Sequence, residues 1–148
     1  MVWSVETLLA DAAATVAKVV AIKRVDWPPP ETSYPDDVWA YLEWGPALIE
    51  QASDEVIEHT ITITVCRPMR GNLSSATSGE YGAVISAVVA VHREFYKNTI
   101  IGGATDGAAL ASPGTMSKPF LLTYGEVRNV ACTLTLQCVT AEEVSATD

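Results

Sequence analysis

Glu58-His-Thr-Ile-Thr-Ile-Thr-Val-Cys-Arg67 sets Ile61, Ile63 and Val65 in alternation with Thr60, Thr62, Thr64 and Cys66. Val127 to Val139 repeats the pattern, with Val130, Cys132, Leu134, Leu136 and Cys138 against Ala131, Thr133, Thr135 and Gln137. A side-chain period of two gives a strand one apolar face and one wetter face. Thr and Val suit a pleated surface, and both stretches are rich in them. They predict the two central strands of one sheet.

Working outward, Val38-Trp-Ala-Tyr-Leu-Glu-Trp44 reads as a third strand, ended by Gly45-Pro46. Val38, Ala40, Leu42 and Trp44 share one face, and Trp39 and Tyr41 share the other with Glu43. Both faces are apolar, so the strand needs two covers. The core supplies one; a helix, a loop or another protein chain supplies the second. The connection Ala47 to Val56 leaves no room for a crossover, so this strand is expected antiparallel to the Glu58 strand.

Two helices are expected. Ser4 to about Arg24 starts with Ser4 as N-cap and Glu6 in the first turn, and carries Val5, Leu8, Leu9, Ala12, Val16, Val19 and Val20 at helical steps. Its β-branched tail, Val19 to Val25, has a short strand as its alternative. Gly79 to Asn98 places Tyr81, Val84, Ile85, Val88, Val91, His92 and Phe95 on one stripe, and its length favours helix over strand despite the valines. His92 is read there as a core or rim histidine rather than a base.

The joining segments carry turn signals. Trp27-Pro-Pro-Pro30 reads as a rigid, extended crossing loop. Pro68 to Ser78, with Met69, Arg70, Gly71 and Asn72, reads as a polar loop. Thr99 to Lys118 reads as a long loop because of Gly102-Gly103, Asp106-Gly107 and Ser112-Pro-Gly114, with one turn of helix allowed at Ala108 to Ala111. Phe120 to Tyr124 is a short strand or lead-in, Gly125 a turn or bulge, and Ala141 to Asp148 an acidic tail. The sum is a single α+β domain over residues 1–148, a mainly antiparallel sheet of about four strands with two helices packed on one face.

Charge narrows the function classes. The 148 residues carry 18 acidic against 9 basic side chains, a net charge of -9. Gripping phosphates draws on clustered Lys and Arg, so a nucleic-acid binder is disfavoured. A negative wall past which DNA slides stays open. The three cysteines, Cys66, Cys132 and Cys138, lack the spacing of a disulfide framework and read as buried thiols in a reducing compartment. A zinc site would need Cys132 and Cys138 to meet His59 or His92 without any CxxC or HxxxH pair. No run nears the ~20 apolar residues of a bilayer span, and no charged n-region marks a secretory signal, so no membrane partner is expected.

Catalytic signatures are missing. Gly102-Gly103-Ala-Thr-Asp-Gly107 lacks the lysine of a P-loop, no GxSxG elbow occurs, and the carboxylates are scattered. His59 and Cys66 sit seven apart on one strand and so point to opposite faces. No catalytic residue, metal or cofactor is expected.

The order of helix, Pro-rich crossing, strand pair, second helix, long loop and final strand, with Pro35-Asp-Asp-Val-Trp-Ala-Tyr-Leu-Glu-Trp-Gly45 feeding Thr60-Ile-Thr-Ile-Thr-Val65, resembles the tail terminator proteins of long-tailed phages and the related tail-completion and neck proteins. The resemblance lies in layout and chain length, covers most of the chain, and rests on no sharp motif. It implies an α+β subunit of a homo-oligomeric ring, six in number, that caps the tail tube protein, meets the head-tail connector protein, and lets DNA pass through its lumen. Location in the virion, after assembly in the host cytoplasm, follows from it. Trp39 and Tyr41 are the expected subunit contacts, and Arg67 and Arg70, with Lys23, Arg24 and Arg93, the expected basic partner contacts. Alternatives are another neck, head-completion or tail tube component, or a small-ligand-binding domain or enzyme using the pocket side of Trp39, Tyr41 and Trp44.

Overall fold

A computed structural model describes residues 5–33, 37–45, 48–51, 54–69, 79–97, 100–101 and 109–143. The elements in order are α1 (Val5–Ala17), β1 (Ile22–Asp26), β2 (Val38–Trp44), β3 (Leu48–Gln51), β4 (Asp54–Pro68), α2 (Gly79–Lys97), β5 (Ile100–Ile101), β6 (Ala109–Met116), β7 (Phe120–Tyr124) and β8 (Val127–Glu143).

The two alternating stretches do form the centre. β4 and β8 pair antiparallel from Asp54↔Glu143 to Pro68↔Asn129. β2 lies antiparallel on the other side of β4, with Leu42 opposite Ile63. The class is α+β and the sheet is mostly antiparallel. The expected count of about four strands is too low: among the described residues the sheet has eight, six of them in the lateral order β1-β2-β4-β8-β6-β5. β3 adds to β4 in line with β2, and β7 adds to β8 in line with β6. Each half of the central pair is thus flanked separately. β1, β2 and β7 lie at the β4 C-terminal end, and β3, β6 and β5 lie toward the opposite end.

The extra strands come from segments whose local signals misled. α1 stops at Ala17, where the β-branched run begins, and a turn (Lys18 N–H to Thr15 C=O, 3.2 Å) leads into β1. β1 then pairs parallel to β2, the one parallel pairing among the described strands. β6 is a strand although it contains Ser112-Pro-Gly114. Its register with β8 shifts between Pro113 and Met116, so these residues make an irregularity in a strand and not a loop. β5 pairs only with Leu110 and Ala109, leaving Pro113 beyond it, where no ladder donor is demanded.

Both helices lie on one face, as expected. Leu8, Ala12 and Val16 of α1 and Val84, Val88, Val91 and Phe95 of α2 join Val38, Ala40 and Leu42, Ile61, Ile63 and Val65, and Leu134 and Leu136 in one core. The alternation of β2, β4 and β8 therefore delivers one continuous apolar face to one helix layer.

Candidate interaction surfaces

The face away from the helices divides in two. At the β4 C-terminal end, Trp39, Tyr41, Cys66 and Ala131 form a second, smaller core, joined by Leu122 and Tyr124 of β7. Trp39 and Tyr124 meet edge to face with ring centroids 5.1 Å apart, and Tyr41 lies 5.3 Å from Tyr124. The Pro-rich segment crosses over this cluster. The Tyr124 hydroxyl donates to the Pro30 carbonyl. Ser33 and the Trp39 indole N–H (3.2 Å) both bond the fully buried Asn129 side chain. The peptide before Pro28 is cis. At the other side, the Tyr124-Gly125-Glu126-Val127 hairpin closes with Gly125 at φ 63°, as a two-residue turn with glycine first requires.

This arrangement corrects the placement of Trp39 and Tyr41. Their relative exposures are 1% and 8%. The second cover comes from the chain's own β7 and Pro-rich crossing, which leaves these two side chains no surface to offer a sister subunit. Burial also pushes the phenols of Tyr41 and Tyr124 up from their ordinary value.

Further along the same face, β4 and β8 present threonine and glutamine. Thr62 stands opposite Thr135, Thr64 opposite Thr133 and Thr60 opposite Gln137. Thr60 and Gln137 are linked side chain to side chain at 3.3 Å. Thr135 accepts from the Thr115 backbone N–H at 2.8 Å, and a Cβ at Gly114 would come within 2.8 Å of its Oγ1. Thr64 is buried, Gln137 is exposed, and the others lie between. No charged residue falls in this ladder.

The basic candidates among the described residues are split between the two faces of the sheet. β1 carries Lys23 and Arg24, both exposed. Arg24 pairs in register with Trp39, on the open face, and forms an ion pair with Asp26 at 3.9 Å. Arg67 is opposite Val130 on the helix side, half-buried, and Arg93 is exposed on α2. Arg70 lies outside the described residues. Arg24 and Arg67 thus sit on opposite faces of the sheet.

His59 and Cys138 are the convergence that sequence spacing hid, since the register sets them directly opposite each other. Neither is poised for chemistry. The Trp44 indole N–H donates to His59 Nδ1 at 3.0 Å, so that nitrogen carries a lone pair. Burial lowers the His59 pKa and pushes the Cys138 and Cys66 thiols up to about 12. Cys132 is raised as well, chiefly by burial, and its thiol donates to the Ser117 carbonyl at 2.9 Å. All three thiols therefore stay protonated at neutral pH. Among the described residues no group of three His, Cys, Asp or Glu side chains is placed to hold a metal. His92 is half-buried and stacks on exposed Tyr96, a rim histidine. No helix among the described residues is long and apolar enough to cross a membrane.

Holding His59 neutral has a consequence for acid stability. Its folded pKa lies below the unfolded value, so below about pH 6.5 the unfolded chain binds the extra proton and the native chain does not. This term is fully present above pH 6.5 and is lost as the pH falls toward the folded pKa. His59→Asn keeps an acceptor for Trp44 and removes the titration. Urea midpoints between pH 7 and pH 5 are expected to fall more for the wild type than for H59N; equal slopes would reject the assignment.

The remaining described surface is apolar at one edge. Met116, Phe120 and Leu121 are exposed at 40%, 36% and 43%. They run from the end of β6 into β7, which among the described strands pairs only with β8. The sequence reads Phe120 to Tyr124 as a short strand or a lead-in; it is a strand, and its place at an edge follows from its pairing with β8 alone, which the local pattern does not encode. Known protein families yield no match to this chain, and neither do curated proteins.

Proposed function

We propose that this chain is a structural protein of a long-tailed phage tail or neck, a tail-terminator-like subunit. It self-assembles into a ring, most simply of six, that caps the tail tube and joins it to the head connector while DNA passes through the centre. What supports the reading is the uncharged Thr60–Thr64 and Thr133–Gln137 ladder on the open side of a one-sheet, one-helix-layer subunit of net charge -9. A surface facing passing DNA needs hydrogen-bonding groups that stay wetted and no cations that would hold phosphates. Thr60, Thr62, Thr133, Thr135 and Gln137, partly or fully exposed, meet both conditions, while Thr64 is buried at Tyr41's end of the face; the helix layer then faces outward. Subunit contacts fall to surfaces other than Trp39 and Tyr41. In this reading the chain has no catalytic role and needs no cofactor.

Native mass spectrometry and electron imaging of the protein, alone and mixed with tail tubes, test the reading. Rings in either sample are expected. A protein that stays a single chain in both, at virion-like local concentrations, would remove it.

A further inference from the structure

We propose that β7 is a self-pairing edge, where two copies of this chain join their sheets through antiparallel β7 strands related by a two-fold axis. The inference goes beyond the ring and does not depend on it. An isologous contact closes after two copies, whereas a ring needs a heterologous one.

Three observations carry it. The first is the contrast between the two sheet edges whose side chains are described. β1 shows exposed Lys23 and Arg24 and an irregular register between Ile22 and Arg24. Charges and bulges are how sheets guard an edge against pairing. β7, Phe-Leu-Leu-Thr-Tyr, has a regular register with β8 and no charge from Pro119 to Gly125. Second, its exposed apolar side chains lie on both faces: Phe120 opposite Ala131 on the open face and Leu121 opposite Val130 on the helix face. Added strands cover such an edge on both sides at once.

The third observation picks a second copy as the occupant. The net charge of -9 opposes self-association elsewhere, but uncharged β7 is flanked by one exposed cation, Lys118, and one exposed anion, Glu126, which an antiparallel copy complements at both ends. A two-fold axis normal to the sheet keeps each face with its like and so sets one residue directly opposite its own copy, the axis running between the two. Centred on Leu122, it sets Leu121 beside Thr123 of the second copy and Phe120 beside Tyr124 of the second copy. The same alignment turns the end that carries exposed Lys118, just before the strand, toward the end of the second copy that carries exposed Glu126, in the turn just after it, and the reverse at the other end. Opposite charges at both ends and none between fix the alignment. Both helix layers then lie on one side of a continuous sheet.

Leu121→Lys and Thr123→Lys test the contact, since both positions are exposed and neither change opens a cavity. Light scattering of the full chain across a concentration series is expected to give at least twice the chain mass, and either substitution to halve it with an unchanged far-ultraviolet spectrum. Lys118→Glu alone is expected to weaken association at least tenfold, and K118E/E126K to restore it. A wild type that stays at the chain mass overturns the proposal, and so does a mass that neither lysine substitution lowers. A six-fold mass untouched by L121K and T123K would sink the two-fold pairing and leave the ring standing. A dimer that they split, with no ring on tail tubes, would keep the pairing and sink the ring.

Discussion

Trp39→Ala is expected to cost the isolated chain about 3–5 kcal/mol of unfolding free energy, the range for truncating a buried large aromatic. Trp39 is fully enclosed in the second core, with Tyr41 at 5.5 Å, Tyr124 at 5.1 Å, and Asn129 bonded through its indole N–H. Removing it takes away packing, an edge-to-face pair and the donor that ties β2 to β8 and, through Asn129, to Ser33 on the Pro-rich crossing. For a chain of this length that loss amounts to a fall of roughly 6–20 °C in melting temperature. Urea unfolding at a dilution where the protein is a single chain checks it. Trp39→Phe keeps a ring but not the N–H, and should lose less. The alternative role, an anchor against a sister subunit, predicts the reverse outcome: an unchanged single-chain midpoint with lost assembly. An interface tryptophan contributes to stability only when the partner is present.

The same residue shows where the sequence was legible and where it was not. Alternation in Val38–Trp44 said that β2 had two apolar faces, and that was correct. It did not say who covers the second one, because one cover, Tyr124, is remote in sequence, and the other, the nearby Pro30–Ser33 stretch, has no hydrophobic pattern to show that it folds back over β2. Long periodic stretches were readable: β4, β8 and α2 stand where their periods put them, and β4 and β8 run longer than expected at one or both ends. Short elements without a period were not. β1 borrowed the end of a helical pattern, and β6 was hidden by Pro113 and Gly114, which are loop signals only where a neighbouring strand demands regular pairing. Here Gly114 is needed because Thr135 leaves no space for a Cβ. The surface surmise suffered most. Exposure depends on what crosses the open face, and Trp39 and Tyr41 are covered there by β7 and the Pro-rich crossing rather than by either of the two strands that local signals missed.

Thr62→Lys with Gln137→Lys is expected to turn a ring that ignores DNA into one that retains it. Both positions lie on the open face of the central pair, Gln137 is exposed, and neither faces the apolar core. If this face lines the channel, the double substitution adds two ammonium groups per subunit to a lumen that otherwise carries none along the ladder. Each phosphate neutralised on a duplex steepens the fall of log affinity with log salt by about 0.9. A ring engaging even three or four phosphates would bind orders of magnitude more tightly near 50 mM than near 200 mM salt, on the order of a hundredfold. The wild-type ring should show no such retention at either concentration. Filter binding of linear duplex DNA across a salt series, with a matched change on the helix side such as Ile85→Lys as control, separates lumen charge from net charge. Ile85 is exposed on α2, away from the ladder, so its lysine raises the overall charge without entering the channel. Should I85K promote binding as strongly per charge as T62K/Q137K, the ladder does not face DNA and the orientation of the subunit in the ring is wrong. Should the wild type itself grip DNA with a steep salt slope, cations elsewhere line the channel and the uncharged ladder is not the surface that DNA passes.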